Sequence, residues 1–210
     1  MRLQYIAIEG VIGVGKTSLA TLLADHFGGR LLVEKFDENP FLKDFYQEPR
    51  QFAFPTQLFF LLSRYRQQQE IPQRDLFHDI LITDYVFAKD RIFASLNLED
   101  RELFLYDKVA SLLEQGITHP DLVLYLQSST DRLLHNIRIR NRDFERSMTE
   151  EYIRALNEAY NRFFFNYDDS PLLIINATKI DFVNNKEDFE ELIEQIQRPI
   201  SGTEYYSPLK

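Results

Sequence analysis

Residues 10–17 read Gly10-Val11-Ile12-Gly13-Val14-Gly15-Lys16-Thr17, the pattern G-x-x-x-x-G-K-T. This is the Walker A phosphate loop, and its surroundings suit it. An apolar, strand-like run (Leu3, Tyr5, Ile6, Ala7, Ile8) leads in, and a helix-like run over 16–27, apolar at Leu19, Ala20, Leu22, Leu23 and Phe27, leads out. Glycines allow the backbone N–H groups to turn inward around phosphate oxygens at the positive end of a helix. The loop set is therefore Gly10, Gly13, Val14, Gly15, Lys16, Thr17 and Ser18, with Lys16 reaching the β- and γ-phosphates and the Thr17 hydroxyl ligating Mg²⁺. ATP or GTP with Mg²⁺ is the implied ligand.

The chain has 210 residues, 44% of them apolar, enough for one α/β domain with a buried core. It has no cysteine, which excludes disulfides, a thiol nucleophile and a thiolate zinc site. Met1-Arg2-Leu3-Gln4-Tyr5 enters a strand directly and lacks a signal-peptide layout; the longest apolar run, 58–62, is too short for a bilayer. A soluble cytoplasmic protein is expected, and the sequon Asn176-Ala177-Thr178 then carries no meaning. A net charge of −9 argues against a nucleic-acid polymer as partner. A small anion needs only local cations, and Arg138, Arg140, Arg142 and Arg146 form the densest cluster.

Short apolar runs at 3–8, 31–33, 80–83, 122–126 and 172–175 alternate with amphipathic stretches at 16–27, 49–70, 100–115, 130–140, 149–166 and 186–197. That βαβα order predicts a doubly wound parallel sheet of five strands between helical layers. A single domain over 1–198 is expected, with 199–210 a loosely ordered tail. Ligands of open α/β sheets bind beyond the carboxyl ends of the strands, where Gly10, Glu34 and Asp84 all fall.

A carboxylate there, Glu34, is suited to take a proton from an attacking hydroxyl; a solvated loop acid is the plain alternative. Asp84, after the third apolar run, suits Mg²⁺ or substrate, a role compatible with the plainer one of helix N-cap. Gln57 and Arg64 are two helical turns apart and share a face, which suits base recognition but is also what a solvated stripe looks like. Arg140 and Arg142 would diverge on a regular helix, whereas a lid turn wrapping a phosphate uses both. Asn185-Lys186-Glu187-Asp188 has the letters of the N-K-x-D guanine motif, but it trails the last strand and opens an acidic helix, so a GTP-binding switch is set aside.

Together these stretches resemble the deoxynucleoside kinase family. The resemblance runs from Tyr5 to about Ile196. It is carried by Ile8-Glu9-Gly10 through Thr17, by Glu34 with Asn39-Pro40-Phe41-Leu42 and Phe45-Tyr46, and by Phe54-Pro55-Thr56-Gln57 through Arg64. Arg140-Asn141-Arg142-Asp143-Phe144-Glu145 and Ile180-Asp181-Phe182 complete it. The wording is most similar to bacterial deoxyadenosine and deoxyguanosine kinases. The resemblance implies a P-loop kinase fold, three-layer α/β/α with a five-stranded parallel sheet and an Arg-containing lid, usually homodimeric. It implies Glu34 as general base for a 5′-hydroxyl, Tyr46 and Glu145 as holders of the sugar 3′-hydroxyl, and Gln57 as partner of the base. Arg64 and Asp90 match an Arg–Asp pair absent from thymidine-preferring members, Arg140 and Arg142 the lid, and Asp181 and Phe182 the loop at the donor adenine. One departure stands out: an acid-Arg-Ser triplet is common after strand three, and here the stretch is Asp84-Tyr85-Val86, with Lys89 and Arg91 as substitute cations.

The expected reaction is ATP-dependent 5′-phosphorylation of a deoxynucleoside, deoxyadenosine favoured over deoxyguanosine and deoxycytidine. The nearest rival, a nucleoside monophosphate kinase such as thymidylate kinase, needs fixed cations where Glu34 would repel an acceptor phosphate.

Overall fold

A computed structural model describes residues 3–71, 78–142, 145 and 148–208. All six strands are parallel, in the order β2-β3-β1-β4-β5-β6: β1 (Tyr5–Gly10), β2 (Arg30–Leu32), β3 (Leu81–Thr83), β4 (Leu122–Gln127), β5 (Leu172–Asn176) and β6 (Thr203–Tyr206). Helices connect and flank them: α1 (Lys16–Phe27), α2 (Leu42–Gln47), α3 (Pro49–Gln68), α4 (Lys89–Asn97), α5 (Asp100–Leu113), α6 (Thr130–Arg140), α7 (Glu150–Phe165) and α8 (Lys186–Gln197).

The central strands are buried along their length, as strands covered by helices on both faces must be. All six residues of β1 are buried, including the carboxylate of Glu9. One continuous core joins β1, β4 and β5 to α1, α7 and α8, and a smaller one (Leu61, Phe87, Ala94, Tyr106, Ala110) sits between α3, α4 and α5. Polar caps fix several helix starts: Ser129 accepts from Arg132 N, Thr149 from Tyr152 N, and Asn185 from Glu187 N and Asp188 N. The Asn185 cap explains the N-K-x-D letters as a helix start.

Among the described residues the sheet has six strands, not five. Residues expected to be a loose tail form β6, which pairs with β5 from Leu172↔Thr203 to Ile175↔Tyr206. Thr203-Glu204-Tyr205-Tyr206 is too polar to read as a buried strand because it lies at the sheet edge, half exposed. Gly202, at φ 65°, turns the chain into it, and Tyr206 donates to Glu191 of α8 at 3.0 Å. Two short helices, α2 and α4, were also not expected.

The chain reverses direction across the sheet at β1. It runs outward to β2, returns through β3, and continues on the other side from β4 to β6. The crevice at the carboxyl ends of β1 and β3 is thus the topological switch point.

Cutting the chain after Arg198 would unpair the edge of β5. We expect a loss of about 2 kcal/mol, read as a melting point lower by about 4–8 °C. An unchanged melting point would return the tail to the loose segment that its sequence suggests.

Candidate active site

The phosphate loop closes on itself. Gly10 has φ 155°, and a Cβ there would meet the Leu126 carbonyl oxygen at 2.7 Å and Val14 Cγ1 at 2.9 Å; Gly13, at φ 87°, meets Leu133 O at 2.9 Å. Only glycine fits both positions. Lys16 Nζ donates to Gly10 O at 2.7 Å and lies 3.4 Å from Val11 O. Burial lowers the Lys16 ammonium to about 8, Lys89 adds to the shift, and Glu9, Glu34 and Asp84 oppose it.

Asp84 joins this loop to the segment after β2. Its Oδ2 accepts from Thr17 Oγ1 at 2.5 Å and its Oδ1 from the Glu34 backbone N–H at 2.7 Å. Glu34 lies two residues past the end of β2, with Gln67 of α3 donating to Val33 O at 3.0 Å. Its carboxylate is therefore no solvated loop acid. Arg64 holds one oxygen and Lys89 Nζ the other, at 2.8 Å. Burial alone would raise the Glu34 carboxyl, but the two cations outweigh it and hold it far below the usual carboxylate range.

A cavity of about 380 Å³ runs between the loop and these side chains, within the range for small-ligand sites. Gly13, Gly15, Lys16, Thr17 and Ser18 line it together with Glu34, Tyr46, Gln57 and Arg64, and Asp84 joins the two groups through Thr17 and the Glu34 N–H. The face shared by Gln57 and Arg64 is interior: they are 2% and 3% exposed, so the solvated-stripe reading fails. Asp90 does not line the cavity; it is buried behind Arg64 and pairs with it. Gly10 and Val14 form the loop from behind. Asp181 and Phe182 also stand outside the lining, in the turn after β5. The Phe182 ring lies against Gly15, and Asp181 is tied to Asn184 and, through its N–H, to Asp188.

Arg140 and Arg142 both reach the cavity. Arg140 ends α6, and Asn141 adopts a left-handed conformation at φ 49°, reversing the chain. The turn lets both arginines converge on buried Glu145 rather than diverge. Arg142 also stacks over the Phe36 ring at 4.4 Å. Arg146, Asp143 and Phe144 lie outside the described residues. Tyr46 shares the cavity with Glu145; burial first, then Tyr152 and the carboxylates of Glu145 and Glu34, raise its hydroxyl well above its ordinary value.

Some of this was not legible beforehand. Glu9 accepts from the N–H groups of Gly10 (2.9 Å) and Val86 (3.1 Å) and from Tyr160 Oη (3.2 Å), fastening β1, the turn after β3 and α7 together. A lone acid inside an apolar strand was the signal. Phe45, Phe60, Phe93 and Met148 give the cavity apolar walls, and of these Phe93 and Met148 lie in no stretch that the sequence marked. Of the two substitute cations, Lys89 points inward to Glu34, while Arg91 pairs with Glu114 away from the cavity. Tyr85 is fully buried under Arg64.

The donor set around Thr17 and Asp84 is a hydroxyl and a carboxylate, hard oxygens of the kind Mg²⁺ takes. Among the described residues no group of three or more His, Cys, Asp or Glu forms a metal cage. An ion there would draw its other ligands from phosphates and water.

The depressed Glu34 carboxyl contributes stability above its unfolded value of 4.5 and loses it as the pH falls toward the lower folded value. Glu34→Gln should be less stable than wild type by about 3 kcal/mol at pH 7, with the gap closing below pH 4.5. Denaturant titrations of both proteins at several pH values read this, and a pH-independent gap would contradict the pairing.

Residues 6–201 match the deoxynucleoside kinase family. The chain is 33% identical over 201 residues to the deoxyguanosine kinase of Bacillus subtilis (strain 168), covering 93% of this chain and 97% of that one. It is 38% identical over 162 residues to a deoxyadenosine kinase of Dictyostelium discoideum, covering 76% and 66%. Among solved structures, the deoxyadenosine kinase from M. mycoides, with products dCMP and dCDP bound, has the same fold at a TM-score of 0.80 and 25% identity, covering 92% and 98%. Among the described residues no helix is long and apolar enough to cross a membrane. With a phosphate loop and a paired carboxylate lining one cavity and a family match over nearly its whole length, the chain belongs to the deoxynucleoside kinases, phosphotransferases acting on deoxynucleosides.

Proposed function

We propose that the chain moves the γ-phosphoryl group of ATP to the 5′-hydroxyl of a deoxynucleoside, deoxyadenosine first, with deoxyguanosine and deoxycytidine as further acceptors. The observation that carries this reading is that Glu34 and the phosphate loop line one cavity, tied together by Asp84. Glu34 is the proton acceptor for the 5′-hydroxyl. Tyr46 and Glu145 hold the 3′-hydroxyl from the opposite wall. Gln57 pairs with the base, and Arg64, backed by Asp90, adds donors beside it. The apolar walls at Phe60 and Phe93 suit a planar ring.

At the donor end, Lys16 and the loop N–H groups hold the phosphates. Arg140 and Arg142 close over them, and a water-excluding lid limits hydrolysis. Phe182 backs the loop at Gly15, with Asp181 in the same turn beside the donor base. Thr17 and Asp84 would hold Mg²⁺, which supplies charge neutralisation at the phosphates when bound. The same reading places the enzyme in the cytoplasm as a homodimer, acting as one catalytic domain that takes in β6.

Phosphoryl transfer depends on positioning and charge rather than covalent help from the protein. Loss of Glu34 should therefore reduce kcat far more than binding. A turnover panel of the four deoxynucleosides and their monophosphates with ATP should show purine deoxynucleosides and deoxycytidine accepted, and thymidine and all monophosphates refused. Glu34→Gln should keep both KM values within about threefold and lose about 10²–10⁴ in kcat. Turnover of monophosphates alone, or near-normal turnover in the variant, would overturn the reading.

A further inference from the structure

Lys89 is a buried ammonium at the first turn of α4. Its side chain is 4% exposed, and its Nζ lies 2.8 Å from Glu34 Oε2 and 6.0 Å from the Phe93 ring centroid, inside the cavity. A buried lysine is retained only where its charge is matched. Charge pairing around it is uneven. Arg64 touches both Glu34 and Asp90, so Asp90 accounts for Arg64, whereas Lys89 has Glu34 as its ion-pair partner. Other charges on the neighbouring elements are committed elsewhere: Asp84 to Thr17 and the Glu34 N–H, Lys16 to the loop carbonyls, Glu9 to Gly10, Val86 and Tyr160. Burial raises the hydroxyls of Tyr46, Tyr85 and Tyr160 above their ordinary value, which favours their uncharged form.

We propose that Lys89 is a catalytic cation whose charge Glu34 neutralises before the reaction and releases to the transferring oxygen during it. This rests on the proposed function. As the 5′-oxygen bonds to the γ-phosphorus, its proton passes to the Glu34 carboxylate and the bond from that phosphorus to the bridging oxygen of ADP breaks. Glu34 is then neutral and no longer satisfies the ammonium beside it. The negative charge has moved to the phosphoryl oxygens within reach of Nζ, and Lys89 donates to them instead. A cation matched in the ground state and freed as charge develops binds the transition state more tightly than the substrate. Lys89 therefore acts on kcat rather than KM. The buried Tyr85 has no charge to offer there, and Arg91 faces away.

The chain has no cysteine, so Lys89→Cys introduces a unique thiol. Alkylation with 2-bromoethylamine rebuilds an ammonium of nearly lysine length, while iodoacetamide adds a neutral group of similar size. With ATP and the best deoxynucleoside, Lys89→Met and unmodified Lys89→Cys should lose about 10²–10³ in kcat with KM changed less than threefold. Lys89→Arg should recover part of it, aminoethylation most of it, and the neutral adduct none. Arg91→Met should match wild type. Melting curves on every variant separate misfolding from chemistry, and the two adducts of one protein hold packing nearly constant. A Lys89→Met kcat within threefold of wild type, a loss confined to KM, or equal recovery by both adducts would overturn the inference and leave the proposed function standing. Wild-type enzyme that phosphorylates no deoxynucleoside would remove both.

Discussion

The carboxylate of Asp84 is the constraint on which the site depends. One oxygen holds the hydroxyl of Thr17 at the start of α1, and the other holds the backbone of Glu34 after β2. These segments belong to different strands, with β3 between β2 and β1. A short side chain bonded to both fixes the separation between the phosphate loop and the proposed proton acceptor. The sheet supplies the coarse position, since all three segments leave its carboxyl edge. Asp84 supplies the fine one, which matters because misplacement by about 1 Å can lose two orders of magnitude in rate. Glu9 does the same one layer deeper, tying Gly10 to Val86 and Tyr160.

The electrostatics follow from this geometry. The chain as a whole is strongly acidic, at −9, yet Lys16, Arg64, Lys89, Arg140 and Arg142 all turn into one cavity. Each is balanced locally in the free protein, Lys16 by loop carbonyls and the others by Glu34, Asp90 or Glu145. In the proposed reaction an incoming triphosphate and a displaced proton would rearrange those partners, and such an arrangement needs no basic surface to bind an anion.

The sequence carried most of this where local chemistry sets the structure. The phosphate loop, the α1 and α6 boundaries and the shared face of Gln57 and Arg64 are all consequences of glycine conformation or helical period. What it did not carry depends on pairing at a distance. β6 is polar because it is an edge, so nothing in Thr203–Tyr206 marks it without β5 beside it. The convergence of Arg140 and Arg142 needs the left-handed Asn141 between them, a conformation Asn permits but does not announce. Lys89 and Arg91 are indistinguishable as letters; only the rotation of α4 sends one inward and the other to Glu114.

On the proposed reaction, Glu34 faces the transferring phosphate across a gap that a sugar hydroxyl fills. A crystal structure with deoxyadenosine, Mg²⁺ and a non-hydrolysable ATP analogue tests it most directly. The 5′-oxygen should lie within about 3 Å of a Glu34 oxygen, on the side facing the γ-phosphate. A hydroxyl bound elsewhere, with Glu34 still closed onto both Arg64 and Lys89, would contradict it.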